Sequence, residues 1–158
     1  MSTTETRDAM ADNPDRALIH ALIAGEGVDT ALRTSPALEA LRTRFVRGEP
    51  GDVTLRFSVP ADSLQGNGVV AGGTLTSMLD FAMAFAVLSR LPAGKTCATI
   101  SLTVNMQAPA RLGDYEVEAS ASRVGSRVAF VRAALYDAQR TRSIAEAMAS
   151  FTVLEMRA

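Results

Sequence analysis

The sequence predicts an α+β protein in which one long central helix is wrapped by a curved antiparallel β-sheet. Between Asp62 and Arg90 the only charged residue is Asp80, so the helix that follows a glycine-rich approach is apolar around its whole circumference. Such a helix has to be covered by other structure, and we expect Asp80 to be dry. Most of the chain after this helix alternates apolar and polar residues, which is typical of strands.

Length and composition limit the classes of function. The 158 residues, 47% of them hydrophobic, are enough for one domain with a sizeable core. The formal net charge of −1 does not favour nucleic acid or an anionic membrane as partner. One cysteine, Cys97, and one histidine, His20, exclude a disulfide framework and a Cys/His metal cluster. We expect Cys97 to be a small core residue and the protein to be cytoplasmic, with no membrane segment.

The N-terminal part divides into a tail and a helical extension. Residues 1–13 are polar, and we predict a disordered tail there, followed by a single domain over residues 14–158. Asn13 followed by Pro14 is typical of a helix start. A second short helix is expected to begin near Ser35.

Six segments are predicted to form the sheet: residues 41–47, 53–59, 99–106, 114–124, 128–136 and 144–154. The third has the clearest alternation, which places Thr99 on one polar face together with Ser101 and Thr103. The last begins with helix-favouring residues and ends with strand-favouring ones. We predict a strand there, because the preceding strand would otherwise be left with a bare edge.

Two stretches resemble those of a known family: residues 65–73 (QGNGVVAGG) leading to Asp80, and residues 99–114 (TISLTVNMQAPARLGD). The pattern is similar to that of the hotdog-fold thioesterases, in particular the phenylacetic-acid-degradation thioesterase group. In that family His-Gly-Gly opens the central helix, and an acid lies eight residues after the first glycine, here Gly72. This sequence has Ala71 in place of the histidine and Gln65 in place of an asparagine found in many members.

The resemblance implies four catalytic residues. Asp80 would attack the thioester carbonyl or activate the water that does so, and both routes stay open. Gly72 would offer its free N–H to the oxyanion, since a helix N-terminus has unpaired donors. Gln65 would polarise the carbonyl through its amide, and Thr99 would hold water or substrate. The alternative interpretation is a structural aspartate satisfied by the hydroxyl groups of Thr76 or Ser77, with glycines that serve only close packing.

A basic turn is the candidate binding element for coenzyme A. The resemblance places Arg123, Gly125, Ser126 and Arg127 near the coenzyme A phosphates, which arginine suits by charge and geometry. A solvated hairpin end is the alternative. No metal and no cofactor is implied, because coenzyme A enters as part of the substrate.

The predicted function is therefore hydrolysis of an acyl-CoA thioester to the free acid and coenzyme A. The alternatives are a protein that binds acyl-CoA or another acyl carrier without turnover, and a purely structural homo-oligomer. Gly72 and Asp80 lie roughly 12 Å apart on one helix, at about 1.5 Å per residue. One thioester cannot reach both, so we expect two antiparallel subunits to complete the site in a homodimer or a dimer of dimers.

Overall fold

The computed structural model describes residues 11–157, in which one long helix packs against a seven-stranded antiparallel sheet. The helices are α1 (Pro14–Ala24), α2 (Pro36–Ala40) and α3 (Gly72–Leu88), with a 3-10 turn at Ala61–Ser63. The strands are β1 (Thr30–Ala31), β2 (Arg44–Glu49), β3 (Asp52–Ser58), β4 (Lys95–Met106), β5 (Asp114–Val124), β6 (Val128–Asp137) and β7 (Ser143–Glu155). They are ordered β1-β2-β3-β5-β6-β7-β4. The predicted α+β architecture is confirmed.

The central helix is covered on most of its circumference, but one stripe stays open. Its buried residues face the sheet and α1: Leu75, Met78, Leu79, Ala82, Met83, Phe85, Ala86, Val87 and Leu88. Ser77 is exposed, and Asp80, Phe81 and Ala84 are only half-buried. Because these positions recur every three or four residues, they form a continuous stripe along α3. The expectation that Asp80 is dry is therefore wrong for a single chain, since a one-layer sheet covers only one side of a helix.

Strand β4 is a sheet edge and contains a β-bulge. Thr99 pairs with Phe151 of β7 and Ser101 pairs with Ser150, so Ile100 is an extra residue without a partner. Phe151 faces the core, and Thr99 beside it therefore lies on the side of the sheet that faces α3. The prediction that Thr99 and Ser101 lie on one face of the sheet is wrong, because the bulge shifts the alternation of inward-facing and outward-facing side chains by one residue.

The last segment forms β7 between β6 and β4, which confirms the predicted strand. Ala145, Ala147 and Ala149 of this strand are buried on the inner face. Their small side chains favour a helix locally, but here they leave room for α3 to approach the sheet. Tertiary packing thus decides a segment whose local propensities conflict.

The N-terminal extension is tied to the rest of the domain. Asn13 caps α1, as expected, by accepting two backbone N–H groups of its first turn. Asp12 forms a two-point ion pair with Arg16 and accepts the N–H of Gly94, at the loop before β4. The side chains of Asp12 and Asn13, at the end of the predicted tail, thus bond to the folded domain. Residues 1–10 of that tail lie outside the described part of the chain, and the disorder predicted for them stays a prediction.

Candidate active site

Helix α3 begins without a side-chain cap, unlike the other two helices. Asn13 and Ser35 accept backbone N–H groups at the starts of α1 and α2, but α3 follows Ala71, whose side chain has no acceptor. Within residues 11–157, neither the N–H of Gly72 nor that of Gly73 has a hydrogen-bond acceptor. These donors carry the positive end of the helix dipole. The start of α3 is therefore free to bind a negatively charged or polarised oxygen.

Both glycines keep this helix start open rather than tightly packed. A Cβ added at Gly72 would meet its nearest neighbour, the methyl group of Met106, at 3.6 Å, and one added at Gly73 would meet nothing within 4 Å. These are ordinary contacts or open space, so packing does not require glycine at either position. The alternative interpretation of close-packing glycines is wrong here.

A cleft of about 350 Å³ lies beside this helix start. Residues 65–70 form one wall, held by a hydrogen bond of 2.8 Å from the N–H of Val70 to the carbonyl of Ala110. The residues that line the cleft come from this wall, the first turn of α3 and the chain just after β4: Gln65, Val69, Val70, Gly72, Leu75, Met106, Gln107, Ala108, Pro109 and Ala110. The structure thus brings Gln65 and Gly72 together in one cleft.

The second half of the predicted site is a carboxylate held by a hydroxyl group. The Oγ1 of Thr99 donates a 2.8 Å hydrogen bond to Oδ1 of Asp80, which the bulge in β4 makes possible. Asp80 has no ion pair within the described residues. Thr76 and Ser77 donate instead to backbone carbonyls one turn earlier in α3. The interpretation in which these two hydroxyls satisfy Asp80 is therefore wrong.

Cys97 lies two residues before Thr99, on the same strand. Burial, with smaller contributions from the negative charges of Asp80 and Asp15, raises the pKa of its thiol to about 12. The thiol therefore stays protonated near neutral pH, and a protonated thiol is a poor nucleophile. This agrees with the expectation that Cys97 is a packing residue.

A single chain does not bring the two halves of the site together. Gly72 begins α3 and Asp80 lies eight residues further along, so their Cα atoms are roughly 12 Å apart along the axis. The cleft contains Gln65 and Gly72, whereas Asp80 and Thr99 face the open stripe of α3.

The basic turn lies at the far end of the sheet from the cleft. β5 starts at Asp114, close to the cleft wall, and runs for 11 residues before the turn at residues 124–127. That is about 35 Å of strand. The N–H of Gly125 donates to the carbonyl of Val128 at 3.0 Å, which closes the turn. Arg123 and Arg127 have no carboxylate partner in the part of the chain that the structure describes, and Ser126 lies between them.

A larger groove of about 1120 Å³ lies on the outer face of the sheet, away from α3. None of the predicted site residues lines it, and its charged side chains include the Arg47–Glu118 ion pair, 2.8 Å long. We place the candidate site in the smaller cleft, because that cleft contains the free donors of the helix start. Over residues 11–157, no His, Cys, Asp and Glu side chains form a group that could hold a metal ion, and no helix is long and apolar enough to span a membrane.

Comparisons with known proteins agree with this architecture. A family model described as the thioesterase superfamily matches residues 67–144. A thioesterase family protein from Silicibacter pomeroyi is similar with a TM-score of 0.75 and 21% identity, over 89% of this chain and 99% of that one. No functionally curated protein matches the sequence.

Two further solved structures are similar in fold. The PaaI protein of E. coli, from the phenylacetic acid degradation operon, has a TM-score of 0.72 and 19% identity, over 88% of this chain and 94% of that one. Protein smu.793 from Streptococcus mutans, solved bound to acetyl CoA, has a TM-score of 0.65 and 20% identity, over 72% and 90% of the two chains. These likenesses establish a shared fold, which is the predicted one.

Proposed function

Because a family model described as the thioesterase superfamily matches residues 67–144 and the chain has the hotdog fold, we propose that it is an acyl-CoA thioesterase, which hydrolyses an acyl or aroyl thioester to the free acid and coenzyme A. The observation that carries the proposal is Asp80. It is the only charged residue on an otherwise apolar helix, and Thr99 is its one hydrogen-bond partner among the described side chains. A carboxylate that no ion pair neutralises is available as a base or a nucleophile.

The start of α3 supplies the complementary electrophilic group. The oxygen of a thioester carbonyl gains negative charge when the carbon is attacked. The free N–H of Gly72 and the side-chain amide of Gln65 both border the cleft, where they would stabilise that charge. Water then adds to the carbon while Asp80 accepts its proton, and when the carbon–sulfur bond breaks this proton passes to the sulfur and the thiol leaves. In the other route the Asp80 carboxylate itself adds to the carbon, the carbon–sulfur bond breaks and the thiolate leaves with a proton from solvent; water then hydrolyses the mixed anhydride to the free acid and restores the carboxylate.

The proposed active site needs two subunits. β4 is a twelve-residue edge strand whose outer backbone groups have no partner strand within the described chain. Ile100 and Met106 on this strand are 59% and 43% exposed, and the open stripe of α3 lies next to them. A second copy related by a two-fold axis would cover both features. It would also set Gly72 of one subunit opposite Asp80 of the other.

The basic turn fits the same dimer. The turn lies near the C-terminal end of α3, since Gly51, which accepts the N–H of Ala121 in β5, donates its own N–H to Ser89. An antiparallel partner reverses the direction of α3 and would bring its own helix start to that end. We propose that Arg123 and Arg127 meet the coenzyme A phosphates there, with Gly125 and Ser126 forming the turn.

Binding without turnover is the second candidate, and Ala71 favours it, because no imidazole is available beside the helix start. A steady-state thioesterase assay over acyl chains of several lengths, paired with a binding titration of the same acyl-CoA compounds, distinguishes the two. The proposal predicts turnover that Asp80→Asn abolishes while the fold is kept, because the amide cannot act as base or nucleophile. Tight binding with no turnover by the wild-type protein would contradict it.

A further inference from the structure

The cleft contains a third side-chain or backbone hydrogen-bond donor besides Gly72 and Gln65, the amide of Gln107. Gln107 follows β4 directly and lines the cleft together with Gln65 and Gly72. Its backbone N–H donates to the carbonyl of Ile144 at 2.9 Å. Its side-chain Oε1 accepts a 2.7 Å hydrogen bond from the hydroxyl of Ser143. Gln107 is therefore fixed to the start of β7 through both its backbone and its side chain.

The free end of this side chain is its amide nitrogen. Nε2 of Gln107 has no acceptor among the described residues, and the residue is exposed at the cleft. Ser143 already uses one lone pair of the carbonyl oxygen, whereas neither N–H of Nε2 has a partner among the described residues, so the unpaired group that Gln107 presents to a ligand is a donor. Gln107 would therefore bind a hydrogen-bond acceptor.

The number of hydrogen-bond acceptors on a thioester indicates which substrate atom Nε2 of Gln107 would bind. A carbonyl oxygen has two lone pairs, and the N–H of Gly72 and the amide of Gln65 would fill both in the proposed reaction. A third donor in the same cleft needs a different oxygen. Pantetheine, which carries the acyl group in coenzyme A, has an amide carbonyl two methylene groups and one nitrogen beyond the sulfur. A simple alkyl thioester has no acceptor at that position.

We propose that Gln107 binds the first amide carbonyl of the pantetheine arm, and that Ser143 is a positioning residue that holds the Gln107 amide in the donating orientation. This inference rests on the proposed function, and it narrows the substrate class to thioesters of pantetheine. The pair would select against thioesters whose thiol-derived chain lacks the amide, because Nε2 would then be left without a partner in the cleft.

The test compares two substrates with the same acyl group: the N-acetylcysteamine thioester, which has the amide, and the S-butyl thioester, which lacks it. Gln107→Leu should raise KM about fivefold to tenfold for the first substrate and leave KM for the second unchanged, as expected for the loss of one hydrogen bond. Gln107→Glu, which keeps the shape but has no donor, should do the same. Ser143→Ala should act in the same direction with a smaller effect.

Asn105→Leu is the matched control. Asn105 is an amide residue on β4, but it lines the groove on the outer face of the sheet. Its substitution should change neither KM. Equal changes for both substrates in the Gln107 variants, or no change for either, would overturn the assignment, because a merely structural role would not distinguish the two substrates.

A binding measurement distinguishes failure of this inference from failure of the proposed hydrolysis. An S-butyl pantetheine thioether has the amides but no thioester bond, and its Kd is measured by titration calorimetry. If the protein hydrolyses no substrate but binds the thioether with a Kd that Gln107→Leu raises, the hydrolase proposal fails and the inference stands. If hydrolysis occurs and Gln107→Leu changes neither KM nor this Kd, the inference fails and the hydrolase proposal stands. A wild-type protein that binds no thioether also overturns the inference.

Discussion

The hydrogen bond between Thr99 and Asp80 gives a direct prediction for the variant Thr99→Val. Valine has nearly the shape of threonine but no hydroxyl, so the change removes the one side chain that donates to the carboxylate, at 2.8 Å, within the described chain. A hydrogen bond to a charged group contributes about 1.5–3 kcal/mol. If Thr99 holds Asp80 in its reactive position, that free energy appears in the barrier, and kcat should fall about tenfold to a hundredfold.

The assay is steady-state hydrolysis of an acyl-CoA substrate, with Tm measured on the same samples. Thr99 is exposed in the single chain, and the substitution should alter unfolding by about 0.5 kcal/mol or less. Thr103→Val is the matched control, because Thr103 is on the same strand but lines the outer groove. It should keep wild-type kcat. A folded Thr99→Val protein with kcat within twofold of the wild type would refute a catalytic role for this hydrogen bond.

Three further predictions concern stability, thiol chemistry and the helix start. Hydrogen bonding to Arg16 lowers the pKa of Asp12 from 3.8 to about 2, so this carboxylate contributes stability above its unfolded pKa and loses it as the pH falls. Asp12→Asn should therefore lower Tm at neutral pH. In thermal melts, the difference in Tm between the wild type and this variant should shrink between about pH 4 and pH 2, and a difference in Tm that stays constant over this range would contradict the prediction. Iodoacetamide should label Cys97 at pH 8 about a thousandfold more slowly in the folded than in the unfolded protein, because its pKa is about 12 instead of 9.0; comparable rates would contradict the buried thiol. Gly72→Ala keeps the N–H and meets only the Met106 methyl at 3.6 Å, so at least about a third of the wild-type kcat should remain; a larger loss in a folded protein would show that the open space matters more than the donor.

The elements of this fold were predictable because the spacing of apolar residues and the positions of capping, turn and strand-ending residues agree along most of the chain. The helix start at Asn13, the strand that ends before Pro60 and the turn near Gly125 all combine a residue type with the conformation it favours. The bulge at Ile100 was not predictable, because it belongs to the pairing of two strands. The sequence alone alternates polar and apolar residues without interruption from Thr99 to Met106, with no sign of an extra residue at Ile100.

The candidate site was predictable as a set of residues but not as an arrangement. Asp80 is conspicuous as the one charge on an apolar helix, and the absence of a capping side chain can be seen at Ala71. The exposed side of α3 could not be foreseen, because apolar composition does not say whether the cover comes from the same chain or from another. Gln107 gave no signal of its own, since its place in the cleft depends on Ser143, 36 residues away.

The central claim is that Gly72 and Asp80 act on one thioester across a subunit interface. Gly72→Pro removes the N–H donor at the first residue of α3, where proline is tolerated. The preceding residue, Ala71, already has φ −59° and ψ 138°, which suits a residue before proline. Asp80→Asn removes the acid. Each variant alone should lose most of its turnover.

The decisive measurement is the activity of these two variants after they are refolded together in equal amounts. Half of the randomly formed dimers contain one subunit of each kind, and each of these has one intact site and one site that lacks both groups. We predict recovery of about a quarter of wild-type activity, with only the small residual turnover of each variant when it is refolded alone. No recovery, from variants that are folded and shown to form mixed dimers, would contradict an active site shared between two subunits.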